Sequence, residues 1–149
     1  MNDFDRTTAQ GTDAGLLVLR LALAAVFLAH SVYLKLAVFT LPGTAAFFES
    51  LGLPAFSAYL VFTAEAVGGV LLALGVFTRP TAAVLAVVSA GAVWAHAGAG
   101  WLFSNTGGGW EYPLFLAATS AVLALTGPGA LTVRALFGDA EPRAAVATA

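Results

Sequence analysis

Four long apolar stretches make up most of this 149-residue chain, and polar residues interrupt them at only a few positions. Residues 15–38, 55–77 and 81–101 are each long enough to cross about 30 Å of hydrocarbon as an α-helix. The fourth stretch, residues 112–126, is shorter, so we expect Glu111 to extend it or the bilayer to be locally thin. The pattern predicts an all-α integral membrane protein built as a four-helix bundle.

The connections between these stretches predict the remaining elements. Residues 44–51 are too few to span a bilayer, and we expect a short interfacial helix between the first two spans, with Phe47 and Phe48 towards lipid. A tight turn at Thr78-Arg79-Pro80 joins the second and third spans, with Pro80 suited to the first turn of a helix. The expected organisation is a loose tail (1–14), a membrane domain (15–137) whose last residues, 130–137, form a surface helix, and a disordered tail (138–149).

Composition supports a membrane environment. The chain is 60% hydrophobic and only 9% charged, whereas soluble domains carry about 25% charged residues. The formal net charge of −2 and the lack of a basic patch indicate no nucleic-acid partner. The absence of cysteine excludes disulfides, thiol catalysis, cysteine-ligated iron–sulfur clusters and covalent c-type haem through this chain.

The distribution of cationic residues predicts the topology. Four spans place both termini on one side of the membrane, and four arginines share that side: Arg6, Arg79, Arg134 and Arg143. Lys35 lies near the other side, so the positive-inside rule makes the termini cytoplasmic. We interpret Lys35 and Arg79 as interface anchors, and Trp101, Trp110 and Tyr112 as an aromatic belt at the outer interface.

Glu65 lies inside an apolar run, and a lone carboxylate there requires shielding by partner helices. It is about 15 Å below the outer boundary, and His30 is about 12 Å below the same boundary, at about 1.5 Å per residue. The two side chains are therefore a candidate proton-handling pair. Gly68 and Gly69, which follow Glu65, predict close packing of this helix against its neighbours.

Other polar residues extend this candidate site. His96 lies at about 8 Å depth, and Glu111 and Tyr112 lie near the outer rim. Arg20 is about 12 Å deeper than Glu65, so it either reaches up towards that carboxylate or extends to the cytoplasmic headgroups. The candidate ligand-binding residues are Arg20, His96, Glu111 and Tyr112.

Several short motifs occur together in a characteristic order: LRLAL around Arg20, FLAH ending at His30, LGLP at 51–54, AEAVGG at 64–69 running to GVFTR at 75–79, EYPL from Glu111, and GPG at 127–129. In this order the chain resembles the DoxX family of small four-helix bacterial membrane proteins. That family usually has a lysine four residues after the histidine, whereas Lys35 comes five residues after His30. The acid often found after the GPG motif is replaced around residues 132–134.

The resemblance implies a four-helix bundle in the bacterial cytoplasmic membrane. Some members look like subunits of quinone-linked thiosulfate oxidoreductase, and others are associated with membrane redox or detoxification complexes. We therefore expect a subunit of a larger membrane complex, with a quinone as a possible ligand and electrons supplied by another chain or cofactor. His30, His96, Glu65 and Tyr112 offer the hydrogen-bonding groups that a quinone needs.

Three alternatives remain open at this point. One alternative is a purely structural or assembly subunit, in which buried polar residues only fix helix register. Another is a carrier of b-type haem between His30 and His96, which lie on different spans. Transport of a small solute would require oligomers. No spacing typical of a metal site occurs, so we assign no metal, and whether the chain is itself an enzyme stays open.

Overall fold

The computed structural model describes residues 3–136, and every regular element in this part of the chain is helical. The elements are α1 (Asp3–Leu28), a π-helical segment (Ala29–Val38), α2 (Leu41–Ser50), α3 (Phe56–Leu74), α4 (Thr78–His96), a 3₁₀ turn (Ala97–Ala99), α5 (Glu111–Thr126) and α6 (Val133–Leu136). The predicted disordered tail, residues 138–149, lies outside the described residues.

Three helical stretches are long and apolar enough to cross a membrane: Phe4–Val38, Phe56–Leu74 and Thr78–Ala99. The fourth, α5, is a shorter apolar helix of 16 residues, or about 24 Å. It begins at Glu111, which confirms the expected extension. The prediction of an all-α membrane bundle is confirmed.

The four long helices form a closed ring. α1 packs against α3, α3 against α4, α4 against α5, and α5 against α1. The core at their centre consists of the buried residues Leu23, Ala24, Phe27, Leu72, Ala82, Leu85, Leu116 and Leu123. We call the end with residues 39–55 and 97–110 the loop end, and the end with residues 75–80 and 127–136 the termini end.

Gly68 and Gly69 let α3 approach both of its neighbours. A methyl group on Gly68 would lie 3.1 Å from the δ carbons of Leu85 in α4. A methyl group on Gly69 would lie 2.7 Å from the γ carbon of Leu28 and 3.3 Å from the carbonyl oxygen of Ala24, both in α1. The predicted packing role of this glycine pair is confirmed, because small residues allow close helix contact where lipid supplies no hydrophobic drive.

The first helix departs from the expectation in two ways. It begins at Asp3, so most of the segment that we expected to be a loose tail is helical. The hydroxyls of Thr8 and Thr12 donate to the carbonyl oxygens four residues earlier, which satisfies these side chains within the exposed helix. At its other end the last ten residues, Ala29–Val38, are π-helical rather than α-helical.

α2 confirms the predicted short helix between the first two spans. Thr40 caps it by accepting the Gly43 amide at 3.2 Å, and Pro42 occupies its first turn. Thr44 and Ala45 are buried where α2 packs on α3 and on the π-helical segment. Phe47 does not face lipid alone, because its ring also stacks on His96 at a centroid distance of 6.5 Å.

Candidate functional site

Glu65 is buried in α3 and forms an ion pair with Lys35 of the π-helical segment. Its residue surface is 6% exposed, and Lys35 Nζ donates to Glu65 Oε2 at 2.5 Å. The lysine side chain is itself only 16% exposed. Because both side chains are largely removed from solvent, the ammonium of Lys35 offsets the cost of placing the Glu65 carboxylate inside a bilayer.

The partner of Glu65 is thus Lys35, which sequence reasoning placed at the membrane rim as an anchor. The depth estimate at about 1.5 Å per residue applies to the Cα atom of Lys35 and takes no account of the length of its side chain. Side chains of a helix lean towards its N-terminus, and lysine carries its charge on a four-carbon stem. Both effects bring Nζ deeper than the backbone of Lys35. The available signal was that a buried carboxylate requires a cation, and Lys35 is the only lysine in the sequence.

His30 lies beside Tyr112 rather than in a hydrogen bond with the carboxylate. The two rings stack at a centroid distance of 5.8 Å with an interplanar angle of 25°. His30 Nδ1 is 2.9 Å from the carbonyl oxygen of Val26, one turn earlier in the same helix. Because a carbonyl only accepts, this contact assigns the proton of the neutral imidazole to Nδ1 and leaves Nε2 as an acceptor.

Tyr112 is the most exposed of these four residues. It lies in the first turn of α5, and 37% of its surface is exposed. Its hydroxyl can both donate and accept a hydrogen bond. The structure therefore assembles a part-buried ion pair and a stacked imidazole–phenol pair in the half of the bundle nearer the loop end.

His96 belongs to a second cluster that organises the long loop. Its Nδ1 is 2.9 Å from the carbonyl oxygen of Gly107, and its ring stacks on Phe47 of α2. Glu111 Oε1 accepts the backbone amide of Phe103 at 2.9 Å, across the same loop. These two candidate ligands therefore have structural partners in residues 97–110, where Trp101 and Trp110 also pack edge to face at 4.5 Å.

Arg20 lies at the opposite end of the bundle and is fully buried. Its Nη2 donates to the carbonyl oxygens of Leu131 at 2.8 Å and Ala130 at 3.2 Å. It neither reaches Glu65 nor extends to headgroups, because the segment after α5 folds back over α1 and encloses it. The Ala130 amide donates to the carbonyl oxygen of Asp13 at 3.0 Å and holds that segment in place.

The guanidinium of Arg20 is packed directly against Gly75 at the end of α3. Gly75 has a φ of 68°, a left-handed conformation that favours glycine, and a Cβ there would lie 1.6 Å from Arg20 Nη1. Among the described residues, Arg20 Nε and Nη1 have no hydrogen-bond partner. The chain thus carries a buried cation whose hydrogen-bonding capacity is only partly used.

The candidate residues therefore separate into three groups. Glu65 forms an ion pair with Lys35, and His30, in the same π-helical segment as Lys35, stacks on Tyr112. His96 and Glu111 organise the loop, and Arg20 fixes the termini end. A b-type haem would need both imidazole Nε2 atoms across one cleft. The structure instead gives His30 and His96 different aromatic partners and different carbonyl acceptors, an arrangement that does not favour bis-histidine ligation.

Comparison with known proteins identifies the family. The sequence model of the DoxX family matches residues 15–98. The chain belongs to the DoxX family. Over 116 residues it is 35% identical to a protein of Bacillus subtilis (strain 168) named "Putative oxidoreductase CatD", a match that covers 77% of this chain and 81% of that protein. No solved structure matches it.

The DoxX match and the apolar helices together establish a multi-pass membrane protein. The matched residues 15–98 include His30, Lys35 and Glu65, and they exclude Tyr112 and Glu111 in α5. The ion pair between α3 and the π-helical segment therefore lies within the part of the chain that defines the family.

Proposed function

We propose that this DoxX protein is a membrane subunit of a larger quinone-linked oxidoreductase complex, and that His30, Tyr112, Lys35 and Glu65 form its quinone headgroup site. The observation that carries the proposal is that the π-helical segment holds both His30, which stacks on Tyr112, and Lys35, which binds the buried carboxylate of Glu65. A quinone headgroup is a flat ring with polar oxygens, and it requires aromatic contact together with hydrogen-bond donors and acceptors. The name of the Bacillus subtilis relative supports the oxidoreductase class and does not specify the substrate.

The chemistry assigned to these residues is proton handling. Oxidation of a quinol releases two protons and two electrons. His30 Nε2 accepts the first proton, because Nδ1 already donates to Val26, and Glu65 is the carboxylate available for the second. The electrons pass to a redox partner protein of the complex. Reduction of the quinone runs these transfers in reverse.

The proposed location is the bacterial cytoplasmic membrane, with both termini in the cytoplasm. Arg6 lies in the first turns of α1, and Arg79 lies at the termini end, where its Nη2 is 3.3 Å from the carbonyl oxygen of Thr126. This contact places a cation at the negative end of the α5 dipole. The excess of arginine at the termini end supports the orientation by the positive-inside rule, and the quinone site then lies in the outer half of the membrane.

Photolabelling with an azido-quinone tests the proposal. The protein is purified in mild detergent, irradiated with the probe, and the labelled peptides are mapped. We expect label within residues 29–38 and 111–116. Tyr112→Phe should reduce labelling about fivefold, the effect of one lost hydrogen bond. The matched control is Tyr59→Phe, which alters another exposed tyrosine, at the start of α3, and should leave labelling unchanged. Equal labelling of both variants would contradict the proposed site.

One observation favours a second function, that of a structural or assembly subunit without chemistry of its own. Glu65 is already paired with Lys35, so its role can be to join α3 to the π-helical segment. In that case Glu65→Gln keeps both the assembly and the activity of the parent complex, whereas Glu65→Leu disturbs assembly. Loss of activity in Glu65→Gln, with assembly intact, would instead support proton handling.

A further inference from the structure

The π-helical segment Ala29–Val38 is the most unusual backbone feature of the molecule. Its hydrogen bonds connect residues five apart, as in the bond from the Phe39 amide to the carbonyl oxygen of Leu34 at 2.8 Å. π-Helices are rare, occur mostly as single turns, and are frequent at functional sites. This segment is ten residues long and contains both His30 and Lys35.

The change from α-helical to π-helical hydrogen bonding after Leu28 determines which side chains lie on the same face of the helix. In an α-helix, residues five apart point about 140° away from each other. In a π-helix the hydrogen-bonded turn itself spans five residues, so His30 and Lys35 lie one above the other. The imidazole that stacks on Tyr112 and the ammonium that binds Glu65 therefore occupy the same side of the helix.

A buried side chain lies where the register changes. Ser31 is fully buried, and its hydroxyl donates to the carbonyl oxygens of Phe27 at 2.7 Å and Leu28 at 3.3 Å. Side chains that insert into the helical ladder in this way displace the regular backbone bonds. The next residue, Val32, is exposed. The extra residue of a π-helical turn can therefore be accommodated there without contacting a neighbouring helix.

We infer that the π register is a positioning device that brings His30 and the Lys35–Glu65 pair onto one face, and that Lys35 thereby becomes a contact residue of the same site. The inference rests on helix geometry and does not depend on the identity of the ligand. Its failure and the failure of the quinone proposal are therefore distinguishable.

An engineered metal bridge tests this geometry. Lys35→His creates two imidazoles five residues apart, and they can chelate Cu²⁺ together only if they share a face. We expect this variant to bind Cu²⁺ about tenfold or more tightly than the unsubstituted protein, because the second imidazole binds intramolecularly. The matched control is Gly91→His, which gives the same five-residue spacing to His96 within the regular helix α4, at an open position. Gly91→His should give no comparable increase in Cu²⁺ affinity.

A second variant shows how a pair of imidazoles binds Cu²⁺ when this segment is returned to α-helical spacing. Deletion of Val32 together with Lys35→His reduces the spacing to four residues, which share a face in an α-helix. We expect this variant also to bind Cu²⁺ tightly. Tight binding in the deletion variant, with a Lys35→His protein that keeps its helical circular dichroism and shows no gain in Cu²⁺ affinity, would show that residues 29–38 do not hold a π register and would overturn the inference. Equal gains with Gly91→His would overturn it as well.

Discussion

At the residue scale, the part-buried Lys35 and the fully buried Arg20 have different kinds of partner. Lys35 has a carboxylate partner in Glu65, and the pair connects α3 with the end of the first helix. Arg20 has only carbonyl partners on one of its nitrogens, and two further nitrogens are unpartnered among the described residues. Removing either member of the Lys35–Glu65 pair should therefore lower the stability of the folded protein. Adding a hydrogen-bonding partner beside Arg20 should raise it.

Removing one member of the ion pair should destabilise the bundle. Glu65→Leu leaves Lys35 without its counter-charge and should lower the free energy of unfolding by about 3 kcal/mol. The double variant Glu65→Leu/Lys35→Met should recover most of this loss, because no unpaired charge remains. Thermal unfolding in detergent measures both. Glu49→Gln, which alters an exposed carboxylate of α2, is the control. Equal losses in the single and double variants would contradict the pairing.

Adding a carboxylate beside Arg20 should stabilise the termini end. A Cβ added to Gly75 would lie 1.6 Å from Arg20 Nη1 and 3.0 Å from the Thr132 methyl carbon, so Thr132→Asp places an anion near an unpartnered guanidinium nitrogen. Thr132 Oγ1 already accepts the Ala135 amide at 3.1 Å, and aspartate preserves such a contact. We expect a rise in melting temperature of about 2–4 °C, corresponding to about 1 kcal/mol. Thr132→Asn keeps the cap without the charge and should give a smaller rise, so equal effects would refute an ion pair.

At the scale of elements, glycines determine how closely the helices approach. Gly69 touches α1, Gly68 touches α4, and Gly75 ends α3 against Arg20. The sequence predicts the first two contacts, because a double glycine after a buried acid indicates a packed face. It does not predict the third, since the position of the Arg20 guanidinium involves contacts with a segment about 110 residues away in sequence.

Substitution of a packed glycine should cost stability where an open glycine does not. Gly69→Ala introduces a methyl group 2.7 Å from Leu28 and should lower the free energy of unfolding by about 1–3 kcal/mol. Gly91→Ala lies in α4 with nothing nearby and should stabilise the helix by up to about 1 kcal/mol. Chemical or thermal unfolding of the two variants compares them directly. If both substitutions changed the free energy of unfolding in the same direction, the close packing of Gly69 against α1 would be refuted.

The sequence predicts the helices better than it predicts the partners of polar side chains. Hydropathy and length identify the spans, because the bilayer imposes them. The pairing of Glu65 depends on the reach of Lys35, and that of Arg20 depends on a loop distant in sequence. The π register at Ala29–Val38 leaves no hydropathy signal, because it alters hydrogen bonding and not composition.

At the scale of the whole molecule, the bundle has two differently constructed ends. The termini end is closed by Arg20 and by the backbone bond between Ala130 and Asp13. The half of the bundle nearer the loop end carries the exposed Tyr112, which stacks on His30. A ligand from the outer half of the bilayer would approach this second end.

Cysteine labelling tests the proposed orientation in a sequence that contains no cysteine. Ser50→Cys lies at the loop end, and a membrane-impermeant maleimide should label it in intact cells. Phe77→Cys lies in an exposed position at the termini end, and it should be labelled only after the cells are permeabilised. The reverse pattern would place the termini outside and contradict the orientation.

The central claim is that the carboxylate of Glu65 is paired with the ammonium of Lys35 inside the bundle. Solid-state NMR tests it directly, because the single lysine gives one ¹⁵Nζ signal in protein that is also labelled at the glutamate carboxyl carbons. We predict dipolar dephasing of that signal by a carboxyl carbon within about 4 Å, the range of a salt bridge, in reconstituted membranes. The dephasing should disappear in Glu65→Gln, labelled in the same way. An undephased lysine signal in the unsubstituted protein, or dephasing that persists in Glu65→Gln, would contradict the account.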